Sequence, residues 1–372
     1  MNLIQGIATI LVTLLGSGVF IVPAISATYS GWGALIVWLI MAFMILPVAF
    51  VFGKLGKAYP SAGGSATFVG AAFGKKLEKA TAYLYLSMTP IGPPVVIITA
   101  ASYLAGAFGE GYLIHFMLLA SLIILVLNLF SLRVSSNINI LVSTTITLIV
   151  VIFSVYAFLK GVKISLHQLE IFKTLGVVFW CFVGIEALSH ISHEFKNEND
   201  FFKAVIIGIV IVAVLYMGVT FSILTFNAYG SESKNLRSLV IVASHLTPHA
   251  KEILGIMAFI ICVMALNLYV ASLTRLATTL KIGFKSALFL IMGIITGVSL
   301  LKFSLNLPVE KLITYSNGVF VMIYLLVSLA AVKLLKNTIS VLAVASMCAI
   351  VLSIGKDIIY AALAFFLFWY LG

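Results

Sequence analysis

Long runs of residues without a charged side chain divide the chain, and most of them have the length of a membrane-spanning helix. Residues 1–53 contain no Lys, Arg, Asp or Glu and are long enough for two helices, with a turn at Ser30-Gly31-Trp32-Gly33. A further run, 174–193, carries a single acid, Glu186. Since a span needs about 20 apolar residues, these runs and nine others predict twelve transmembrane helices. The nine others are 80–109, 111–132, 134–159, 204–231, 253–274, 286–301, 312–332, 337–355 and 358–372.

The composition supports the same interpretation, because 63% of the residues are hydrophobic and only 9% are charged. A soluble domain is about half apolar and about a quarter charged. A soluble enzyme, a disordered chain and a secreted disulfide scaffold are therefore excluded. An outer-membrane barrel is excluded as well, because its strands alternate apolar and polar residues. The sequence predicts an all-α membrane protein.

The net charge of +11 comes from basic residues that lie singly or in small groups between the apolar runs. Such residues anchor cytoplasmic loops, and no basic stripe with interleaved aromatic side chains indicates a nucleic-acid partner. With the N-terminus inside, thirteen of the 22 basic residues fall on the cytoplasmic side. We therefore expect a multi-pass protein of the cell inner (cytoplasmic) membrane with both termini cytoplasmic. The first helix is expected to stay uncleaved, because no positive segment precedes it.

The sequence predicts neither a metal site nor a cofactor. Cys181, Cys262 and Cys348 lie inside apolar runs without metal-ligand spacing. His190 and His193 are the only histidines near an acid of the membrane, and they lack the further ligands that a metal needs. An enzyme is therefore not expected. A channel is a weaker alternative to a transporter, because the sequence shows no repeated filter motif.

Two spans contain residues that interrupt a plain transmembrane helix. Span 1 has Gly16-Ser17-Gly18 near its middle and Pro23 shortly after, and span 6 has Gly184 close to Glu186. Backbone groups freed inside a membrane are tolerated only where they are buried or line a cavity. Close packing through small residues is the alternative for span 1. An acid within a span is a functional candidate, and a neutral Glu186 that makes one structural hydrogen bond is the alternative there.

The positions of these two interruptions are related. Gly16 and Gly184 are 168 residues apart (184 − 16), so spans 1–5 and spans 6–10 occupy segments of similar size. Interrupted helices at matching positions in two halves indicate an inverted-repeat transporter with a binding site at the membrane midplane. A half-helix N-terminus favours a carboxylate, and unwound carbonyls favour an ammonium group. A site with both features suits an amino acid.

Three segments carry the most specific motifs of the chain. The first is Gly16-Ser17-Gly18-Val19-Phe20-Ile21-Val22-Pro23-Ala24 in span 1. The second is Tyr59-Pro60-Ser61-Ala62-Gly63-Gly64, followed by Phe68 and Phe73-Gly74. The third is Phe179-Trp180-Cys181-Phe182-Val183-Gly184-Ile185-Glu186 in span 6, followed by Glu194-Phe195-Lys196-Asn197. Together they resemble the signatures of the amino acid–polyamine–organocation (APC) transporters, and the resemblance extends over nearly the whole chain.

Within that family the chain is most similar to the bacterial branch that exports methionine and branched-chain amino acids, which shares His190 and Tyr315-Ser316-Asn317-Gly318. It departs from the family pattern at Asn197-Glu198-Asn199-Asp200, where a proline is usual, and this is expected to alter only the start of span 7. The resemblance implies a LeuT-like 5+5 inverted repeat with broken helices 1 and 6. Its parts are a first repeat at 1–163, a second at 164–336, and helices 11 and 12 at 337–372.

The resemblance also implies a binding site. Backbone N–H groups around Gly16, Ser17 and Gly18 are expected to hold the substrate carboxylate, and carbonyls near Trp180, Cys181 and Val183 its ammonium group. Because the candidates for the side-chain pocket include no Lys, Arg, Asp or Glu, the cargo is expected to be neutral and hydrophobic rather than arginine, lysine or a polyamine. The pocket candidates are Met88, Ile91, Trp180, Phe182, Met264, Asn267 and Ser316.

A proton path is expected beside this site. Glu186, His190 and Glu194 follow one another at intervals of four and therefore share a helix face. Histidine titrates near neutral pH, and burial in apolar surroundings raises the pKa of a carboxylate. The alternative is that His190 and Glu194 simply end the helix and meet water or neighbouring lysines.

Together with the apolar pocket and the intramembrane acid, the resemblance implies proton-coupled export of methionine, leucine, isoleucine and valine by alternating access. Exchange or import by the same fold is the alternative. Sodium is not expected to be needed, although Ser272 and Thr274 on span 8 offer hydroxyl oxygens. The expected partners are the amino acid, protons and the lipid bilayer, and the protein is expected to be a monomer or homodimer.

Overall fold

The computed structural model describes residues 3–59, 64–130, 136–161, 169–187, 195, 197–247, 249–278 and 282–371. In these ranges all regular secondary structure is helical. The first nine α-helices are α1 (Leu3–Leu14), α2 (Val22–Ser30), α3 (Ala34–Ala58), α4 (Ser65–Phe73), α5 (Lys75–Leu86), α6 (Gly92–Phe108), α7 (Leu113–Leu129), α8 (Ser136–Lys160) and α9 (Ile171–Val178). They are followed by α10 (Glu198–Thr225), α11 (Glu232–Asn235), α12 (Ser238–Ser244), α13 (Ala250–Thr278), α14 (Phe284–Ser304), α15 (Val309–Leu335), α16 (Thr338–Ile354) and α17 (Ile358–Leu371).

Helices are the expected outcome for these apolar runs, because a helix satisfies its own backbone groups where water is absent. Within the described ranges, seven helical stretches are long and apolar enough to cross a membrane. They are Val22–Ala58, Glu110–Leu129, Asn199–Thr225, Ala250–Thr278, Phe284–Ser304, Val309–Leu335 and Thr338–Tyr370. Shorter apolar helices are Gly92–Phe108, Thr144–Lys160 and Ile171–Phe182. The protein is therefore a multi-pass helical membrane protein.

The outer surface of the bundle is apolar, as a lipid-facing surface must be. Phe43, Phe158 and Leu363 are 72%, 73% and 66% exposed. Polar side chains lie inside instead and join helices that are distant in sequence. The Asn128 amide of α7 donates to Oδ1 of Asn267 on α13 at 2.7 Å. Such hydrogen bonds fix helix packing in a membrane, where the lipid is as apolar as the helices.

Both interruptions that the sequence predicts are present. After α1 the chain forms a 3₁₀-helix at Ser17–Phe20 and resumes an α-helix at Val22, with Pro23 in its first turn. After α9 it forms a 3₁₀-helix at Phe179–Phe182, then an extended Val183. Gly184 follows with a φ of +113°, a conformation that glycine adopts readily because it has no Cβ.

The start of α10 lacks the proline that is usual in the family that the sequence resembles. Asn197 precedes the helix, and its side-chain oxygen accepts a hydrogen bond from the N–H of Asn199 at 3.0 Å. Asparagine is a preferred residue at this capping position. The departure therefore concerns the beginning of this helix.

Candidate substrate site between the broken helices

A cavity of about 200 Å³ lies where the two interrupted segments meet. Its wall comes from the end of α1, from both interruptions, from the connection between α5 and α6, and from α6, α10, α13 and α15. Pockets for drug-sized ligands usually measure about 300–1,000 Å³, so this cavity suits a single small solute. The lining residues are Leu14, Gly16, Ser17, Gly18, Met88, Gly92, Pro93, Val96, Trp180, Cys181, Val183, Gly184, Glu186, Tyr216, Ala265, Leu266, Tyr269 and Phe320.

The backbone of span 1 is exposed to the cavity at Gly16 and Gly18, which have no side chain to cover it. A Cβ added at Gly16 would meet no atom within 4 Å, so this residue faces open space. A Cβ at Gly18 would lie 2.9 Å from Cys181 Sγ and 3.2 Å from Trp180 Cδ1. Span 1 therefore approaches span 6 closely at Gly18 and leaves room for a ligand at Gly16.

The end of α1 is held by a tyrosine of α10. A helix leaves its last carbonyls without a partner in the helix, and the Tyr216 hydroxyl donates to the Leu14 carbonyl at 2.9 Å. The Tyr216 ring stacks on Trp38 at 4.7 Å between ring centroids. The Trp38 indole in turn donates to the Thr220 hydroxyl at 2.9 Å. The broken end of span 1 is therefore fixed to α3 and α10.

Glu186 is the only charged residue in the described cavity wall, and three donors surround it. The Gly184 N–H donates to Glu186 Oε2 at 3.0 Å, and the Tyr85 hydroxyl donates to Oε1 at 3.2 Å. The Tyr324 hydroxyl donates to Oε2. Hydrogen bonds to an ionised acceptor are roughly twice as strong as neutral ones. The carboxylate thus ties the unwound part of span 6 to α5 and α15.

The two hydroxyls of span 8 that offer oxygens for a sodium site each donate to a carbonyl of their own helix. The Thr274 hydroxyl donates to the Val270 carbonyl at 2.8 Å, and the Ser272 hydroxyl donates to the Leu268 carbonyl at 3.1 Å. In the described ranges, no three His, Cys, Asp or Glu residues form a group that could hold a metal ion.

Most of the residues predicted for the site line this cavity. They are Gly16, Ser17, Gly18, Met88, Trp180, Cys181, Val183 and Glu186. His190 lies outside the described residues, as does Glu194.

Five predicted pocket residues do not line the cavity. Asn267 faces α7 and accepts from Asn128, and the Ser316 hydroxyl donates to the Leu312 carbonyl of its own helix at 2.7 Å. Phe182 is fully buried with its ring 6.5 Å from that of Tyr216. Ile91 is packed in the core, and Met264 is half-buried beside Ala265, which does line the cavity. In this structure these five side chains contact the surrounding helices and are not part of the cavity wall.

Several lining residues were not predicted from the sequence. Gly92 and Pro93 could have been identified, because Gly92-Pro93-Pro94 is an unusual start for a membrane helix. Tyr216 and Phe320 gave none, because they lie inside uniformly apolar helices. The other missed residues are Leu14, Val96, Ala265, Leu266 and Tyr269, and Gly184 was predicted as a helix break rather than as a lining residue.

The comparison with protein families explains this architecture. The sequence model of the amino acid permease family matches residues 1–353. The chain belongs to this family. The permease is therefore an amino acid transporter of the APC superfamily, and its relatives and structural neighbours are membrane transporters rather than enzymes.

Three curated proteins illustrate the relationship. The permease is 34% identical to the L-methionine/branched-chain amino acid exporter YjeH of Escherichia coli, over 100% of this chain and 95% of that protein. It is 30% identical to the uncharacterized amino acid permease YecA of Bacillus subtilis, over 65% of this chain and 59% of that protein. It is 27% identical to an arginine/ornithine antiporter of Pseudomonas aeruginosa, over 57% and 50%.

Solved structures show the same fold. The permease superposes on a manganese transporter of Eremococcus coleocola with a TM-score of 0.65, covering 98% of this chain and 91% of that one. The two sequences are 10% identical, so this similarity concerns the fold and not the cargo.

Proposed function

We propose that the permease exports methionine, leucine, isoleucine and valine by alternating access, coupled to protons. The observation that carries this proposal is the small cavity at the two helix breaks, whose wall is apolar except for backbone groups, a few hydroxyls and Glu186. An ionised arginine or lysine side chain would have to leave water without a free counter-charge there. The Escherichia coli relative, an exporter of L-methionine and branched-chain amino acids, supports the same cargo.

In this proposal each part of the amino acid meets one part of the cavity. The carboxylate is held by backbone N–H groups of Ser17 and Gly18, where the first turn of a helix has no internal acceptor. The ammonium group is held by carbonyls of the unwound segment 180–183. The apolar side chain lies against three residues of the cavity wall. Met88 is in the turn before α6, Val96 is on α6 and Phe320 is on α15.

Glu186 is proposed to couple cargo movement to protons. Ionised, it accepts hydrogen bonds from Tyr85 and Tyr324 and connects span 6 to two other helices. Protonation removes the charge that strengthens these bonds. Span 6 is then freer to move, and His190 would continue the proton path beyond Glu186.

The proposed topology has twelve spans with cytoplasmic termini, arranged as two inverted five-helix repeats and two further helices. The 5+5 division at 1–163 and 164–336 is supported by the two breaks. The end of the bundle that holds Ser30, called the distal end below, is then the outer side of the inner membrane. The excess of basic residues at the opposite end supports this orientation.

Flux in liposomes tests the proposed function. We expect saturable methionine transport that leucine, isoleucine and valine inhibit and that lysine and arginine do not. Replacing sodium by choline is expected to leave the rate within about twofold. An imposed pH gradient is expected to raise net flux at least about fivefold, since one tenfold proton gradient per coupled proton supplies about 1.4 kcal/mol.

Other outcomes separate the alternatives. A strict sodium requirement would overturn the proton coupling. A flux that does not respond to pH but is stimulated by amino acid on the far side would establish exchange. The Pseudomonas aeruginosa relative, an antiporter, makes exchange a specific candidate. Ion conductance without saturable flux would establish a channel.

A further inference from the structure

The segment 230–244, which contains α11 and α12, crosses the distal end of the bundle and is tied to it by two ion pairs. Glu232 pairs with Lys302 near the end of α14. Arg237 pairs with Glu110, in the connection between α6 and α7. The guanidinium is further oriented by a 3.1 Å hydrogen bond from Arg237 Nε to the Ser233 carbonyl. Both pairs therefore join this one segment to helices on the same side of the cavity.

The Glu232–Lys302 pair differs from an ordinary surface ion pair. The Lys302 side chain is only 8% exposed, and its ammonium lies 4.6 Å from the centroid of the Phe303 ring. Exposed pairs contribute little because water screens them. A buried ammonium that loses its carboxylate is strongly destabilised. Separation of the segment from α14 therefore requires water to reach Lys302.

A tyrosine of α6 connects the same segment to the unwound part of span 1. The Tyr103 hydroxyl donates to the Phe20 carbonyl at 2.6 Å and accepts from the Leu239 N–H at 3.3 Å. It also lies 3.3 Å from the Ser238 hydroxyl. Phe20 is the last residue of the 3₁₀-helix whose first two residues, Ser17 and Gly18, line the cavity. One buried hydroxyl thus joins α6, the broken span and α12.

On its other side the segment is fastened to α2 and α15. The Gly230 N–H donates to the Thr28 hydroxyl at 3.1 Å, and that hydroxyl lies 3.2 Å from Asn235 Oδ1. The Asn235 amide donates to Glu310 Oε1 at 3.4 Å. The segment is therefore joined to α2 and α15 as well as to α6 and α14. A second cavity of about 350 Å³ is lined by all four residues of the two ion pairs.

We propose that Tyr103 and the pairs Glu232–Lys302 and Arg237–Glu110 form a latch that holds the cavity closed at its distal end. Tyr103 acts as a positioning residue, because it fixes the Phe20 carbonyl and with it the Ser17–Phe20 segment. Opening of the cavity to the distal side breaks all three connections together. The latch rests on the proposed function, in which the distal side is where the cargo leaves.

Cys181 provides a reporter for this opening, because its thiol lies in the cavity wall. The test uses the full chain with Cys262→Ala and Cys348→Ala, in membrane vesicles of each orientation, with a membrane-impermeant thiosulfonate on the outside. Lys251→Cys, whose position lies at the distal start of α13 and is 41% exposed, identifies the distal side independently. We expect Glu232→Gln and Tyr103→Phe each to raise distal labelling of Cys181 at least fivefold.

The matched control is Glu252→Gln, which removes an exposed distal ion pair with Lys251 and should leave labelling unchanged. The charge swap Glu232→Lys with Lys302→Glu should restore the original rate. Should burial of Lys302 prevent Glu232→Gln from folding, Arg237→Gln carries the same expectation, since Arg237 is 26% exposed.

The latch would be contradicted if the folded variants Glu232→Gln, Tyr103→Phe and Arg237→Gln label Cys181 from the distal side at a rate within twofold of the original. Equal increases from both sides would overturn it as well, because they would indicate general loosening. The readout requires no knowledge of the cargo. If methionine flux is absent but the latch variants still show increased labelling of Cys181 from the distal side only, the proposed function is contradicted and the latch is supported.

Discussion

Gly18→Leu is expected to abolish binding of hydrophobic amino acids while the protein still folds. A Cβ at this position already lies 2.9 Å from Cys181 Sγ and 3.2 Å from Trp180 Cδ1. The rest of a leucine side chain would occupy much of a cavity of only about 200 Å³. We expect the affinity for methionine to fall more than about 100-fold, which corresponds to about 2.7 kcal/mol. Binding is measured by the thermal stabilisation that methionine confers on the purified protein.

Gly297→Leu is the matched control, because a Cβ there would meet nothing within 4 Å and the residue lies on α14 away from the cavity. It should bind methionine as the original protein does. Gly18→Ala should give an intermediate loss. Near-normal binding in folded Gly18→Leu would show that the cargo does not occupy the helix break.

Glu186→Gln is expected to separate binding from transport. Glutamine keeps the shape of the side chain and one acceptor oxygen, but it neither carries a charge nor releases a proton. Methionine binding should therefore stay within about threefold, a change of about 0.7 kcal/mol. Turnover should fall at least about tenfold, and the remaining flux should no longer respond to a pH gradient. Liposome flux at several internal and external pH values measures both quantities.

Glu252→Gln is the control for this substitution, because it removes a carboxylate that is paired at the surface and distant from the cavity. Its pH profile should match that of the original protein. An unchanged pH profile and rate in Glu186→Gln would make Glu186 a structural residue that holds span 6 to Tyr85 and Tyr324.

The parts of the site that could be predicted are those in which the backbone itself departs from a helix. Gly16 and Gly18 mark the first break, and Gly184 marks the second, because glycine and proline act on the local chain wherever they stand. The intramembrane acid Glu186 could be predicted for a similar reason, since an acid within an apolar run is a functional candidate before its neighbours in the fold are known. Local signals were sufficient for these residues.

The orientation of the lining helices could not be predicted. A membrane helix is apolar on all sides, so its sequence does not distinguish a cavity face from a packing face. On α13 the prediction chose Met264 and Asn267, whereas Ala265 and Tyr269 line the cavity. Tyr216 contacts the Leu14 carbonyl from 202 residues away. Contacts of that kind follow only from the assembled bundle.

Protection of Cys181 is the most direct measurement of where the cargo binds. In a chain with Cys262→Ala and Cys348→Ala, the rate of alkylation by N-ethylmaleimide is measured with and without saturating methionine. If the cavity between the broken helices is the site, methionine should slow the reaction at least about fivefold, equivalent to about 1 kcal/mol. Leucine should protect in the same way, and lysine should not. An unchanged rate in a protein that transports methionine would contradict this site, and equal protection by lysine would contradict its selectivity for hydrophobic amino acids.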